Sequence, residues 1–319
     1  MTLPESRLLD FDEIPVIEIS RLHDNNGRKE VVRAIDRACR DIGFFYIVDH
    51  GFDMRLVSRL QRAASEFFSL PEAQKLELGL DPSMRGYLPI DYHSKITESF
   101  SGTSHQEGFW IGADAGTGSR HPLEQANRWP KRPRSLRRSM TDYLAAIENL
   151  AAVLGQGLAD ALGQAEDFYA IYFARPGSRL KLNHYPPQEN PQRIDNIGVV
   201  PHSDSGAFTI LWQDANGGLE IQSKNGEWVV APPLEDSFVV NIGDILQYWS
   251  NGRYSSTQHR VINRYGVDRY SIPYFVNPGV DVTISALDGS DSFTPFSYAD
   301  YQMSKWRGFF PVDGSSGGS

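Results

Sequence analysis

The sequence predicts a mainly β core with flanking helices. Two observations carry that expectation. From about Tyr169 to Pro278 the chain consists of short runs rich in Val, Ile, Phe and Tyr, punctuated by Gly, Asn, Asp and Pro. The first half instead carries apolar residues mostly at helical spacing, with a few strand-like runs between them. Many short strands with regular turns suit a sandwich, a barrel or a jelly roll. No linker or repeat divides the chain. One compact unit is expected: a helix-rich region over 1–165, packed on a β core over 166–312, with a disordered Gly/Ser tail over 313–319.

The elements follow in order. Ile14-Pro-Val-Ile-Glu-Ile19 alternates like a short strand. Arg28 to Arg40 places Val31, Val32, Ile35 and Cys39 at helical spacing, so core packing is the favoured reading of Cys39. Gly43-Phe-Phe-Tyr-Ile-Val48 reads as a strand. Asp53 suits the N-cap of a helix that runs to Phe68 and stops at Ser69-Leu-Pro71. The longest helix is expected over Ser135 to Leu162, with Leu144, Ile147, Leu150, Leu154 and Leu158 on one stripe and Gly163 at its end. Strands are expected at Leu180–Tyr185, Phe208–Trp212, Leu219–Gln222, Trp228–Ala231, Phe238–Ile242, Arg260–Asn263 and Tyr270–Val276. Asn225-Gly226 suits a hairpin turn, with positive φ tolerated at both residues. A closing helix is expected from Ser297 to Phe309.

Composition narrows the function classes. A hydrophobic content of 40% and a charged content of 22% are ordinary for a globular chain of 319 residues. The net charge of −9 disfavours nucleic acid and anionic membranes as partners, because both demand clustered positive charge. The run Lys131-Arg-Pro-Arg134 reads as a solvated helix start. With one cysteine no internal disulfide can form, which fits a reducing, cytoplasmic setting. Met1 to Asp12 lacks the apolar stretch of a secretory signal, and no apolar run is long enough for a membrane span. Oligomeric state is not legible.

Three polar residues carry the chemistry. In Pro201-His-Ser-Asp204, an extended segment would turn His202 and Asp204 to one face, because strand side chains alternate. That pair alone is a weak signal. His259, at the start of a later predicted strand, supplies a third ligand. Two histidines and a carboxylate make the facial triad of non-haem Fe(II) oxygenases, which leaves coordination positions open for a chelating co-substrate and O2. A closed structural zinc site would need a fourth protein ligand, and no cysteine is near. Arg269 and Ser271 share a strand face and could clamp a carboxylate. Asn183 and Tyr185 form a second such pair, which leaves His184 facing the other way.

Longer motifs surround these residues. They include Ile14-Pro-Val-Ile-Glu-Ile-Ser20, Gly43-Phe-Phe-Tyr-Ile-Val-Asp-His-Gly51, Asn183-x-Tyr-Pro-Pro187 and Pro201-His-Ser-Asp204. Gly243-Asp-Ile-Leu-Gln247, Ser250-Asn-Gly-Arg253, His259-Arg-Val261 and Arg269-Tyr-Ser-Ile-Pro273 continue the set. On these the chain resembles the isopenicillin N synthase-like family of Fe(II)/2-oxoglutarate-dependent dioxygenases over nearly its whole length. The resemblance implies a double-stranded β-helix, or jelly roll, with iron at one open end. It implies that His202, Asp204 and His259 bind Fe(II). It further implies that Arg269 and Ser271 hold the distal carboxylate of 2-oxoglutarate, with Asn183 and Tyr185 on its other side. The implied reaction hydroxylates, desaturates or cyclises a small molecule, in secondary metabolism, with 2-oxoglutarate and O2 consumed and succinate and CO2 released. In a 2-oxoglutarate-independent oxidase of the isopenicillin N synthase type, a like-placed Arg–Ser pair holds the substrate instead. Asn183-x-Tyr-Pro-Pro187 favours the 2-oxoglutarate reading. A non-catalytic metal- or ligand-binding sensor is the third reading, and it leaves the open iron positions without a use.

The chain departs from the family's plant-type members at His105-Gln-Glu-Gly-Phe-Trp-Ile-Gly112, which keeps Glu107 but lacks the neighbouring lysine. Ile90 to Thr103 is particular to this chain. Several residues have a plain reading as well as a functional one. Tyr87, Trp110, Phe173, Trp249 and Phe275 could line a pocket, with core packing the default. Arg85 and Lys95 could meet an acidic substrate, with solvated loop charge the default. His50 reads as a structural turn residue, and His93 and His105 as surface.

Overall fold

The strand Phe44–Val48 is apolar throughout because both of its faces are covered. Its alternating side chains divide between two cores. Phe45 and Ile47 join a layer of helices, while Phe44 and Tyr46 join the space between two sheets. The same division recurs along the neighbouring strand, where Val240 faces the helices and Val239 the second sheet. In this computed structural model, the residues described are 7–8, 14–24, 26–90, 103–113, 121–174, 177–187 and 196–306.

The major sheet has eight strands. Their spatial order is Val16–Glu18, Phe44–Val48, Phe238–Ile242, Phe208–Gln213, Arg269–Val276, Arg179–Tyr185, Glu107–Gly112 and Gly86–Leu88. The minor sheet has five, in the order Arg7–Leu8, Trp228–Ala231, Leu219–Gln222, His259–Val261 and Val199–His202. Leu219, Ile221, Ala231 and Val261 of the minor sheet meet Phe44, Tyr46, Val239 and Tyr185 of the major one. Two facing, mostly antiparallel sheets with crossing connections form the jelly roll that the sequence led us to expect. Strands from both sides of residue 165 hydrogen-bond within the major sheet.

Helices cover the outer face of the major sheet. Arg28–Asp41, Met54–Phe68 and Arg134–Ala161 bury Ile35, Leu60, Phe67, Ile147 and Leu154 against Phe45, Ile210 and Tyr274. Each such fully buried side chain contributes roughly 1.5–3 kcal/mol. Asp53 caps the second helix by accepting from the Arg55 amide. Gly163 takes φ +72° after the long helix, as a C-terminal stop requires. Cys39 is buried among them. No helix of the described residues is long and apolar enough to cross a membrane.

Some expectations need correction. In the hairpin after Gln222 only Gly226 has positive φ, while Asn225 does not. The turn is closed by Gly226 N–H to Ser223 O and Ser223 N–H to Glu227 O, which needs one left-handed residue. Arg85 is a buried anchor and no solvated loop charge: it donates to the carbonyls of Leu123 and Ala113 and to Asn127 Oδ1. The strand Glu107–Gly112 escaped the pattern reading, because glycines and a glutamate interrupt its apolar run. Lys95, His93, most of the 90–103 stretch and the tail lie outside the described residues, and the closing helix is described as Tyr298–Trp306.

Behind the sheet Glu107 organises a buried polar cluster. It accepts from Lys75 Nζ at 2.5 Å, from Tyr87 OH at 2.5 Å and from His184 Nδ1 at 2.8 Å. The lysine absent from its own segment is thus met by one from the helix Glu72–Leu76. Burial alone would raise the Glu107 carboxyl, but the bonds from His184, Lys75 and Tyr87 outweigh it and hold it below the ordinary range. The resulting stabilisation is complete above the ordinary glutamate pKa of about 4.3 and is lost as pH falls through the lowered folded value. Glu107→Ala strands a buried ammonium and is expected to cost about 3–5 kcal/mol in denaturant unfolding at pH 7. A loss under about 1 kcal/mol would show the cluster to be incidental.

Candidate active site

Cross-strand register sets two histidines side by side. His259 pairs with His202 on adjacent antiparallel strands. Their rings stand 4.2 Å apart, centroid to centroid. Asp204 lies beyond the end of the strand Val199–His202, so a turn, not strand alternation, aims its carboxylate. Its Oδ1 comes to 3.7 Å from His202 Nε2 and 3.8 Å from His259 Nε2. The three candidate ligand atoms all lie within 4.8 Å of one another.

The surroundings orient each donor. His202 Nδ1 faces Val200 O at 2.9 Å, and His259 Nδ1 faces Thr257 O at 3.2 Å. A carbonyl only accepts, so both Nδ1 atoms carry the proton and both Nε2 lone pairs are left for a metal. Asp204 Oδ2 accepts from Thr209 Oγ1 at 2.5 Å and from Asn241 Nδ2 at 2.7 Å, leaving Oδ1 toward the histidines. Burial would raise this carboxyl, but the facing imidazoles and these two bonds outweigh it and hold it below the ordinary range. Two imidazoles and one oriented carboxylate on one side match the facial donor set of a non-haem Fe(II) centre. Asn241→Ala is expected to weaken Fe(II) binding about 10- to 100-fold, measured by titration against a competing chelator. Unchanged affinity would mean that Thr209 alone orients Asp204.

A second polar group lies between the sheets. Arg269 pairs with Tyr185 across the strands, and Ser271 pairs with Asn183 on one side and Gln213 on the other. The Arg269 guanidinium is 1% exposed and sits 4.6 Å over the Tyr185 ring. It donates to Gly217 O and, at 3.3 Å, to Gln213 Oε1. Its Nη1 is buried with no partner, as is Asn183 Oδ1. Asn183 Nδ2 donates to Ser271 Oγ at 3.1 Å, and the Tyr185 hydroxyl lies 3.5 Å from the same oxygen. An unmet buried donor costs about 1–3 kcal/mol, more on a charged group, and a ligand carboxylate at Nη1 removes that cost.

Comparison with known proteins places this arrangement. Residues 176–278 match the 2OG-Fe(II) oxygenase superfamily, and residues 14–132 match the N-terminal family described as non-haem dioxygenase in morphine synthesis. A homoarginine-6-hydroxylase of Arabidopsis thaliana is 33% identical over 296 residues, covering 88% of this chain and 89% of that protein. The chain belongs to the 2-oxoglutarate/Fe(II)-dependent dioxygenases. A naringenin,2-oxoglutarate 3-dioxygenase of Arabidopsis thaliana is 32% identical, covering 86% of this chain and 75% of that one. The crystal structure of a full-length Neurospora crassa protein in complex with alpha-KG and thymine superposes with a TM-score of 0.84 at 26% identity, covering 95% of this chain and 99% of that one. This dioxygenase therefore uses Fe(II), 2-oxoglutarate and O2, and couples substrate oxidation to decarboxylation of 2-oxoglutarate.

Beside the triad the dioxygenase has a cavity of about 640 Å³. His202 and Asp204 line it together with Trp110, Lys181, Phe275 and Gln302. Burial pushes the Lys181 ammonium down to about 7, with Asp204 opposing the shift. The helix Tyr298–Trp306 closes one side. Tyr301 OH donates to Asp244 Oδ2 at 2.7 Å, and Gln302 Nε2 donates to Ser205 Oγ at 3.0 Å. The structure brings the seven expected site residues into two groups, His202, Asp204 and His259 in one and Arg269, Ser271, Asn183 and Tyr185 in the other. Reading the sequence missed Thr209, Asn241, Gln213 and Lys181. Thr209 and Asn241 are partners across adjacent strands, a pairing that no spacing along the chain reveals.

Proposed function

We propose that His202 Nε2, Asp204 Oδ1 and His259 Nε2 hold the Fe(II), and that Arg269 and Ser271, with Asn183 and Tyr185, hold 2-oxoglutarate. The substrate in this reading is a small molecule bound in the cavity beside the triad. It is hydroxylated, desaturated or ring-closed in secondary metabolism, in the cytoplasm and without nucleic acid or membrane as partner. One observation carries the reading: the chain holds both a three-donor set that fits a metal and, between the sheets, a buried guanidinium with an unmet N–H. An oxidase or a sensor has no comparable support, because the family match is to 2-oxoglutarate-dependent enzymes.

The chain's own residues bind, orient and exclude water. Thr209 and Asn241 fix which Asp204 oxygen is offered. Arg269 neutralises one carboxylate of the co-substrate and sets its direction, and Ser271 adds a hydroxyl. The closing helix and the Trp110–Phe275 pair line one side of the cavity and would limit water there once a substrate is bound. When bound, Fe(II) and 2-oxoglutarate together supply the O2 activation that oxidises a substrate C–H bond.

The test is anaerobic addition of Fe(II) and then 2-oxoglutarate to metal-free protein, followed by O2 uptake and succinate assays on a small-molecule panel. The expected result is a weak visible charge-transfer band, then succinate formation that a substrate stimulates. Stoichiometric iron binding without the band would overturn the co-substrate assignment.

A further inference from the structure

We propose that the substrate is a small organic acid whose anionic group is bound by Lys181 while its apolar part lies beside Trp110 and Phe275. This rests on the cavity being the place where the dioxygenase binds its substrate.

Lys181 is 5% exposed and lines the cavity together with His202 and Asp204. Its Nζ has Gln106 Oε1 at 3.4 Å and the Trp110 ring at 4.9 Å. Among the described residues no carboxylate forms an ion pair with it. Two other buried cations of this protein are met by carboxylates. Lys75 meets Glu107 at 2.5 Å, and Arg260 meets Glu220 at 2.7 Å. Burial disfavours the charged form of an amine that no carboxylate of the described residues meets, and an anion bound beside it on this ligand-facing wall removes that cost. Asp204 cannot serve, since one oxygen is engaged by Thr209 and Asn241 and the other faces the histidines.

The rest of the wall agrees. Arg179 also lines the cavity, and its hydrogen bonds go to the carbonyls of Gly177, Ser178, Ser83 and Leu123. Arg179 Nε and Trp110 Nε1 are buried donors with no partner. The unmatched acceptor on this side, Asn277 Oδ1, abuts Gly206. Among the described lining residues the cations Lys181, Arg179 and Lys305 and the spare N–H groups outnumber the one carboxylate, Asp204, and the field favours an acceptor-rich anion. Room for the lysine stem is reserved by Gly108, where a Cβ would stand 2.7 Å from Lys181 Cε. Trp110 and Phe275 stack on one another, 16° apart with centroids at 5.4 Å, and give the cavity an apolar side.

Lys181 stands apart from the clamp proposed for the distal carboxylate of 2-oxoglutarate, and the anion assigned to it is the substrate's. Arg269 lies opposite Tyr185, and Tyr185 is roughly 13 Å along the strand from Lys181 at about 3.3 Å per residue. Lys181 instead lies opposite Trp110 on the other neighbouring strand.

The test is anaerobic calorimetric titration of the full chain, loaded with Fe(II) and 2-oxoglutarate, with cinnamate, 3-phenylpropanoate and 2-naphthoate, each against its neutral amide. At least one acid is expected to bind about 10- to 100-fold more tightly than its amide. In Lys181→Met that ratio should fall to about one, and Lys181→Arg should retain part of it. Both variants should keep the cooperative melt and the 2-oxoglutarate affinity of the wild type. The proposal is overturned if no acid is preferred, binding by none of them included, or if Lys181→Met leaves the ratio unchanged. It is also overturned if that variant weakens 2-oxoglutarate instead. Failure of the underlying dioxygenase reading shows separately, as absence of the visible Fe(II)–2-oxoglutarate band in the same samples.

Discussion

Replacing His259 with alanine is expected to abolish iron-dependent turnover. Two donors would remain, Asp204 Oδ1 and His202 Nε2, and the carboxylate would lose one of the two imidazoles that face it. Loss of an orienting partner alone typically costs 10- to 100-fold in metal affinity, so loss of a ligand should exceed about 100-fold. Succinate formation should fall by three orders of magnitude or more, on the order of 4 kcal/mol. Metal content after gel filtration and the visible band on adding 2-oxoglutarate are the measurements. His259 also packs edge-on against Phe44, with centroids 5.4 Å apart, so a thermal melt of metal-free protein should accompany them. A variant that folds, holds iron one to one and still forms succinate would remove His259 from the ligand set.

Arg269→Ala has the second large effect, and it separates from the first. Iron binding should persist, because none of the three candidate ligands touches the guanidinium in this structure. The dissociation constant of 2-oxoglutarate should rise about 30- to 1,000-fold, or roughly 2–4 kcal/mol, as expected for losing one partner of a buried charge-assisted pair. Arg269→Lys should restore little, because a single ammonium cannot reproduce the fork that serves Gly217 O and Gln213 Oε1 while presenting Nη1 to a ligand. Titration of the visible band against 2-oxoglutarate reads both variants. An unchanged dissociation constant in Arg269→Ala would place the co-substrate carboxylate elsewhere.

Much of the fold was legible because its signals are local. The long helix is an apolar stripe bounded by Gly163, and the observed Arg134–Ala161 lies within one residue of the expected ends. The strands Phe208–Gln213, Leu219–Gln222 and Phe238–Ile242 are short apolar runs between turn residues, and they fall where that pattern puts them. Glu107–Gly112 was not legible, because its strand character comes from pairing with Arg179–Tyr185 on one side and Gly86–Leu88 on the other. The burial of Arg85 was equally hidden, since the carbonyls that hold it come from Leu123 and Ala113.

The site divides in the same way. The sequence by itself determined the donor types, since two histidines, an aspartate and an Arg-x-Ser pair belong to one chemistry wherever the chain carries them. It also determined that Asn183 and Tyr185 share a face and that His184 turns from them, because alternation along a strand is a local rule. His184 indeed points to Glu107 and Asp268, behind the sheet. Only the tertiary structure decided which donors meet. The register that sets His259 beside His202, the turn that carries Asp204 back to both, and the Thr209–Asn241 pair behind it are contacts between segments far apart in the chain. That no carboxylate of the described residues pairs with Lys181 is of the same kind. A lysine becomes a candidate anion site only when packing removes it from water and brings no carboxylate with it, and that is a property of the assembled wall.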